Sequence, residues 1–152
     1  MKTRIDYRQV APGALQAMLG VERYVHGSGL EPAMLELVRA RASQINRCGY
    51  CLDMHTKDAR AEGESEQRLY ALSAWRETPF YTERERAALA WTEALTLISQ
   101  DAVSDELYDQ VRKHFSEKEI VDLTLAIVAI NGWNRLAVSM RTVPGTYQRT
   151  ER

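Results

Sequence analysis

Residues 116–140 read SEKEIVDLTLAIVAINGWNRLAVSM, and the stretch admits two readings. Asn131-Gly132 is a strong hairpin signal, which would split it into two strands. The surrounding residues oppose that. Ser116 with Glu119 three positions later forms a capping box, which opens a helix. The apolar residues that follow recur with helical rather than alternating period. The expectation is one helix from about Glu117 to Met140, with Gly132 at a close packing contact or a kink. The helix is apolar around much of its circumference. It either runs through the core or turns one side toward another subunit. Its most apolar run, Ile120 to Trp133, contains Asp122 and is too short to span a bilayer.

Working outward, the rest of the chain is also punctuated as helices. Pro32 suits a first helical turn, and Met34, Leu37, Val38 and Ile45 follow at helical spacing. Asn46 and Arg47 can form a break. A further helix then runs from Cys48 or Gly49 to about Ala61 and stops at Gly63. Ser65 can cap a helix reaching Trp75, and Thr78–Thr82 reads as a loop. Thr82 with Glu85 is another capping box, ahead of Ala88, Trp91, Leu95 and Ile98 on one face. Ser104 can cap a helix holding Leu107, Val111 and Phe115. No segment alternates with period two. The expected fold is all-α, about six or seven helices in a single domain covering residues 1–152.

Composition narrows the function. The chain is 45% hydrophobic and 27% charged, the balance of a globular domain, and its net charge of -1 gives no block of basic charge for nucleic acid. The N-terminus lacks a long apolar run of the signal-peptide kind. No membrane association and a cytoplasmic location are expected, where thiols stay reduced.

Both cysteines and one of the three histidines fall in CGYCLDMH, Cys48–His55. A Cys-x-x-Cys pair at a helix start has a physical use, because the helix N-terminus favours a thiolate. The spacing of three puts the sulfurs on one face, within reach of a disulfide. His55 lies one turn after Cys51 and can accept its proton. Glu36, on the preceding helix, can orient the imidazole if the two helices pack antiparallel. Zinc would need a fourth ligand, and no second Cys-x-x-Cys exists. A structural disulfide across so short a loop adds little stability. A redox dithiol is the better reading, with no metal and no cofactor.

ELVRARASQINRCGYCLDMHTKDAR resembles the core motif of the alkylhydroperoxidase AhpD-like proteins, in the carboxymuconolactone decarboxylase superfamily. Glu36, Cys48, Cys51 and His55 keep every spacing of the family pattern. The helix ending in Trp133-Asn134-Arg135 is similar to the family's terminal helix, so the resemblance covers about Leu30 to Arg141. It implies an all-helical domain with thiol-dependent hydroperoxidase activity and a proton relay of Glu36, His55 and the two cysteines. It also implies a homo-oligomer, trimer or hexamer, and an external dithiol reductant, a lipoylated or thioredoxin-like protein. One position departs from the best-known branch, which has histidine immediately before the second cysteine. Here it is Tyr50. A phenol does not shuttle protons at neutral pH as an imidazole does, but it can donate a hydrogen bond to a thiolate or peroxide oxygen.

The expected chemistry has Cys51 activated through Glu36 and His55, with Cys48, at the exposed helix end, meeting the reductant. The alternatives are a lactone decarboxylase of the same superfamily and a disulfide-exchange or redox-sensing module. His26 and His114 read as surface residues. Trp75, Trp91 and Trp133 read as core or interface, and Asn131 and Asn134 as hydrogen-bonding structural residues.

Overall fold

The computed structural model describes residues 1–149 of the chain. These residues form eight α-helices and one 3-10 turn, with no strand among them. The helices are α1 (Tyr7–Val10), α2 (Pro12–His26), α3 (Pro32–Ile45), α4 (Gly49–Ala61), α5 (Glu66–Ala71), α6 (Glu83–Thr96), α7 (Asp105–Val111) and α8 (Glu117–Met140). The all-α expectation holds.

The helix starts are set by the side chains that the sequence points to. Thr82 with Glu85, and Ser116 with Glu119, form complete capping boxes. Ser65 and Ser104 accept backbone N–H groups at the starts of α5 and α7. Such caps satisfy donors that the first turn of a helix leaves open. Arg47, with φ of 55°, and Gly63, with φ of 95°, end α3 and follow α4 in left-handed geometry. Gly63 enters that region without the Cβ penalty.

Three local expectations need correction. The helix after Ser65 does not continue to Trp75. It tightens into the 3-10 turn Leu72–Glu77, with Ala74 in non-helical geometry. Helix α6 ends at Thr96, so Ile98 lies beyond it and is exposed rather than on the buried face. Helix α7 ends at Val111, and Phe115 enters the core from the following turn.

Helix α3 is the centre of the assembly, packing on α4, α6 and α8, while α2 packs on α8. The main core joins Val25, Leu35, Val38, Ala88, Trp91, Val111, Leu123 and Ile127. A second cluster gathers Leu37, Leu72, Trp75 and Leu89. Helix α8 is a single helix through Asn131-Gly132, and the hairpin signal is overridden by packing. Gly132 sits against Met18 of α2, whose methyl would lie 2.9 Å from an added Cβ.

The helix is also longer than its most apolar run. At 24 residues, α8 has the length and composition to cross a bilayer. Its polar groups mark it as a core helix instead. Asp122 is fully buried and accepts a hydrogen bond from Tyr24 at 3.0 Å. Asn46, just after α3, donates to Asn131 at 3.0 Å and to Asn134 at 2.8 Å, and Asn134 donates to Ser43 at 3.0 Å. These side chains tie α8 to the end of α3, the structural role expected of the two asparagines.

Candidate active site

The tie between α3 and α8 fixes the turn that leads into α4. Cys48 is the N-cap of α4, and its sulfur accepts the backbone N–H of Cys51 at 3.3 Å. Cys51 follows in the first turn. The two sulfurs are bonded as a disulfide, with Cα atoms 5.3 Å apart, inside the ordinary range for such a bridge. Both cysteines are 1% exposed. The exposure expected of Cys48 is therefore wrong. The chain around Ala42, Ile130 and Ala137 closes over it.

One turn after Cys51, His55 is buried, and its Nδ1 lies 2.8 Å from Oε2 of Glu36 on α3. A carboxylate only accepts, so Nδ1 carries the proton in this pair. In the neutral imidazole, that leaves Nε2 as the accepting nitrogen. It is buried and has no hydrogen-bond partner among the described residues. The other Glu36 oxygen accepts from Arg39 at 2.6 Å. Arg39 also donates to Glu22 of α2 at 2.8 Å, and Glu22 accepts from the Trp133 indole at 2.9 Å. The chain His55–Glu36–Arg39–Glu22–Trp133 therefore links four helices. Burial pushes the Glu36 carboxyl up, but the His55 hydrogen bond and the charges of His55 and Arg39 outweigh it and hold it below its usual range.

A cavity of about 540 Å³ opens between α2 and α4. Cys51, His55, Glu36 and Arg39 line its inner part; Cys48 does not line it. Leu15 and Leu19 of α2, Met54 of α4, and Trp133 and Ala137 of α8 supply apolar walls. Tyr7, Arg8, Arg23, His26 and Tyr50 complete the lining. The Tyr50 hydroxyl turns to α1, where it accepts from Arg8 at 3.0 Å. His26 is exposed, as expected, yet it faces the cavity. Trp75 and Trp91 are core residues, while Trp133 is a wall of the site.

The sequence reading brought Glu36, Cys48, Cys51, His55 and Tyr50 to one place, and they are together. It passed over Arg39, Glu22 and the cavity wall on α2. A signal for that wall exists: Leu15, Met18, Leu19 and Glu22 recur at helical spacing after Pro12. For metal binding, ligand atoms of Glu36, His55 and Asp58 lie within 4.8 Å of one another. Those of Glu36 and Asp58 are already engaged. Glu36 holds His55 and Arg39, and Asp58 accepts from the Tyr147 hydroxyl at 2.9 Å.

The model of the carboxymuconolactone decarboxylase family matches residues 12–94, which include Glu36, both cysteines and His55. The chain belongs to the carboxymuconolactone decarboxylase family. The uncharacterized protein YdfG of Bacillus subtilis is 46% identical over 92% of this chain and 95% of its own length. The solved structure of a protein of unknown function from Agrobacterium tumefaciens, a candidate antioxidant defence protein AhpD, is also 46% identical. It covers 96% of this chain and 100% of its own, with a TM-score of 0.92. An uncharacterized peroxidase-related protein from Ralstonia eutropha, an alkylhydroperoxidase AhpD core, shares the fold at 19% identity. Its TM-score is 0.79 over 90% of this chain and 73% of its own. The chain is thus an AhpD-like member of the carboxymuconolactone decarboxylase superfamily.

Proposed function

We propose that the protein is a thiol-dependent hydroperoxide reductase. The observation that carries the reading is the buried Glu36–His55 pair, whose unpartnered Nε2 lies one turn from a Cys-x-x-Cys that opens onto a cavity. In the reduced protein, Nε2 of His55 takes the Cys51 proton. The Cys51 thiolate attacks the terminal oxygen of a hydroperoxide, the O–O bond breaks, and the alkoxide takes a proton and leaves as an alcohol. Cys51 is now a sulfenic acid. The Cys48 sulfur displaces its oxygen as water and forms the disulfide. Two thiols are oxidised and one peroxide is reduced to alcohol and water.

Regeneration needs an external dithiol, a lipoylated or thioredoxin-like protein. The sequence reading had the reductant meet Cys48. That sulfur is buried away from the cavity, so the proposal assigns the reductant's attack to Cys51. Cys48 then leaves as a thiolate at the helix N-terminus, where the Cys51 N–H already meets its sulfur. The assembly proposed is a homo-oligomer, trimer or hexamer. Val121 and Val128, 63% and 58% exposed and two turns apart on α8, support a face of that kind.

Peroxide consumption with several dithiol donors tests the reading, wild type against Cys48→Ser and Cys51→Ser. Loss in both variants is expected, and full activity in both sinks it. Turnover of a carboxymuconolactone by the double variant would favour a decarboxylase. A thioredoxin-like potential without peroxide turnover would favour a disulfide-exchange module.

A further inference from the structure

The cavity lining carries three carboxylates and three arginines, so its formal charges sum to zero, but they are unevenly paired and unevenly placed. Its three carboxylates all have partners inside the protein. Glu36 is held by His55 and Arg39, Glu22 by Arg39 and Trp133, and Asp58 by Tyr147. The guanidinium groups of two arginines lining the same cavity form no ion pair with a carboxylate among the described residues. Arg8 donates to the Tyr50 hydroxyl, and its guanidinium lies 6.0 Å from the Tyr7 ring and 5.9 Å from the Tyr50 ring. The rings place the cation without neutralising it. Arg23, on α2, forms no salt bridge among the described residues. Both arginines are exposed, whereas Cys51, His55 and Glu36 are buried. The cavity therefore runs from a cationic mouth, past Leu15, Leu19, Met54 and Trp133, to the sulfur. Its volume of about 540 Å³ is that of a site for a small organic molecule.

We propose that this cavity selects organic hydroperoxides with an apolar body and a carboxylate, the carboxylate being read by Arg8 and Arg23. The proposal rests on the peroxidase reading for its reaction, and it adds the class of substrate. An apolar chain displaces water from the leucine, methionine and tryptophan walls. The carboxylate supplies the anionic partner that neither guanidinium has among the described residues, in the planar geometry that guanidinium groups favour. Arg8 is bonded to the Tyr50 hydroxyl, which fixes the guanidinium that reads the anion at the mouth while the peroxide end reaches the sulfur. Tyr50 is then a positioning residue for the anion reader, a role that histidine at this position would fill differently.

Two measurements separate this proposal from the reaction it rests on. The first is calorimetric binding of decanoate against decanol, which involves no peroxide. Decanoate is expected to bind about tenfold more tightly, the scale of one charge-assisted contact, and the preference is expected to fall toward unity in Arg8→Gln and Arg23→Gln. Equal affinities, no binding of either compound, or a preference unchanged in both variants overturns the proposal. The second is turnover of a hydroperoxy fatty acid against its methyl ester, read as the ratio of kcat/KM values. A ratio near one in the wild type overturns the anion reading and leaves the peroxidase reading standing. Decanoate preference with neither hydroperoxide reduced upholds the anion site and defeats the peroxidase reading.

Discussion

Arg39→Met tests whether the buried chain His55–Glu36–Arg39–Glu22 acts as one unit. Methionine keeps most of the stem and removes the charge. Arg39 makes two charge-assisted bonds, at 2.6 Å to Glu36 and 2.8 Å to Glu22, and its side chain is 14% exposed. Removing a hydrogen bond to a charged group costs roughly 1.5–3 kcal/mol. Glu22 is 26% exposed, so water compensates part of its loss. The lower end of the range for each bond gives a total of about 3 kcal/mol. For a chain of this length, that lowers Tm by roughly 6–12 °C. The acid side changes too. Because the folded Glu36 carboxyl lies below its ordinary value, it contributes stability above about pH 4.3 that is lost as pH falls through the folded value. Without Arg39 the folded value rises toward the unfolded one, so stability declines less steeply in that acid window. Urea unfolding at several pH values measures both effects. In a Glu36→Gln background, the same Arg39→Met change is expected to cost clearly less, because one of its two acceptors has lost its charge. An equal cost in both backgrounds would refute the reasoning.

The remaining predictions concern separate parts of the molecule. After peroxide treatment, mass spectrometry is expected to trap a sulfenic acid in Cys48→Ser, which retains Cys51; trapping only in Cys51→Ser would reverse the roles of the two sulfurs. Asn46→Ala takes a donor from Asn131 and from Asn134, which is 1% exposed, and is expected to cost about 2 kcal/mol in urea unfolding. An unchanged midpoint would count against the tie between α3 and α8. Burial, and then the Asp58 hydrogen bond, push the Tyr147 phenol up to about 12. Its stabilising effect is therefore present below the ordinary tyrosine value of about 10 and lost as pH rises from there through the folded value. Tyr147→Phe is expected to lack that alkaline loss, and unchanged alkaline unfolding would contradict the assignment.

How much of this was readable in the sequence depended on the range of the interaction. Helix starts at Thr82 and Ser116 are decided within four residues, and they were legible. Glu36 and His55 needed one packed helix pair beyond their local spacing, and they too were legible. Ile98 shows where periodicity runs out, because the pattern continues past Thr96 while the helix does not. The exposure of Cys48 could not be read at all. A helix N-cap is usually near water, and the cluster Cys48 forms with Ala42 of α3 and with Ile130 and Ala137 of α8 reverses that. Arg39 escaped notice because a charged residue on a helix is ordinarily solvated. Its two acids come from different helices, so its burial is a tertiary fact.

The same packing limits how the proposed reaction can be arranged. Both cysteines are 1% exposed, and of the two Cys51 alone lines the cavity. A peroxide and a reducing thiol would then use one entrance at different times. That arrangement suits a disulfide made of unequal partners. Cys51 faces the base and the incoming molecules, while Cys48 is held at the helix end, its sulfur bonded to a backbone N–H that also favours its thiolate. Exchange at Cys51 expels the sulfur better able to carry charge, and attack by Cys48 on an oxidised Cys51 needs no solvent access. Burial of Cys48, which the sequence reading did not expect, thus fits the cycle better than exposure would: it shields the resolving sulfur from peroxide and leaves one sulfur to react.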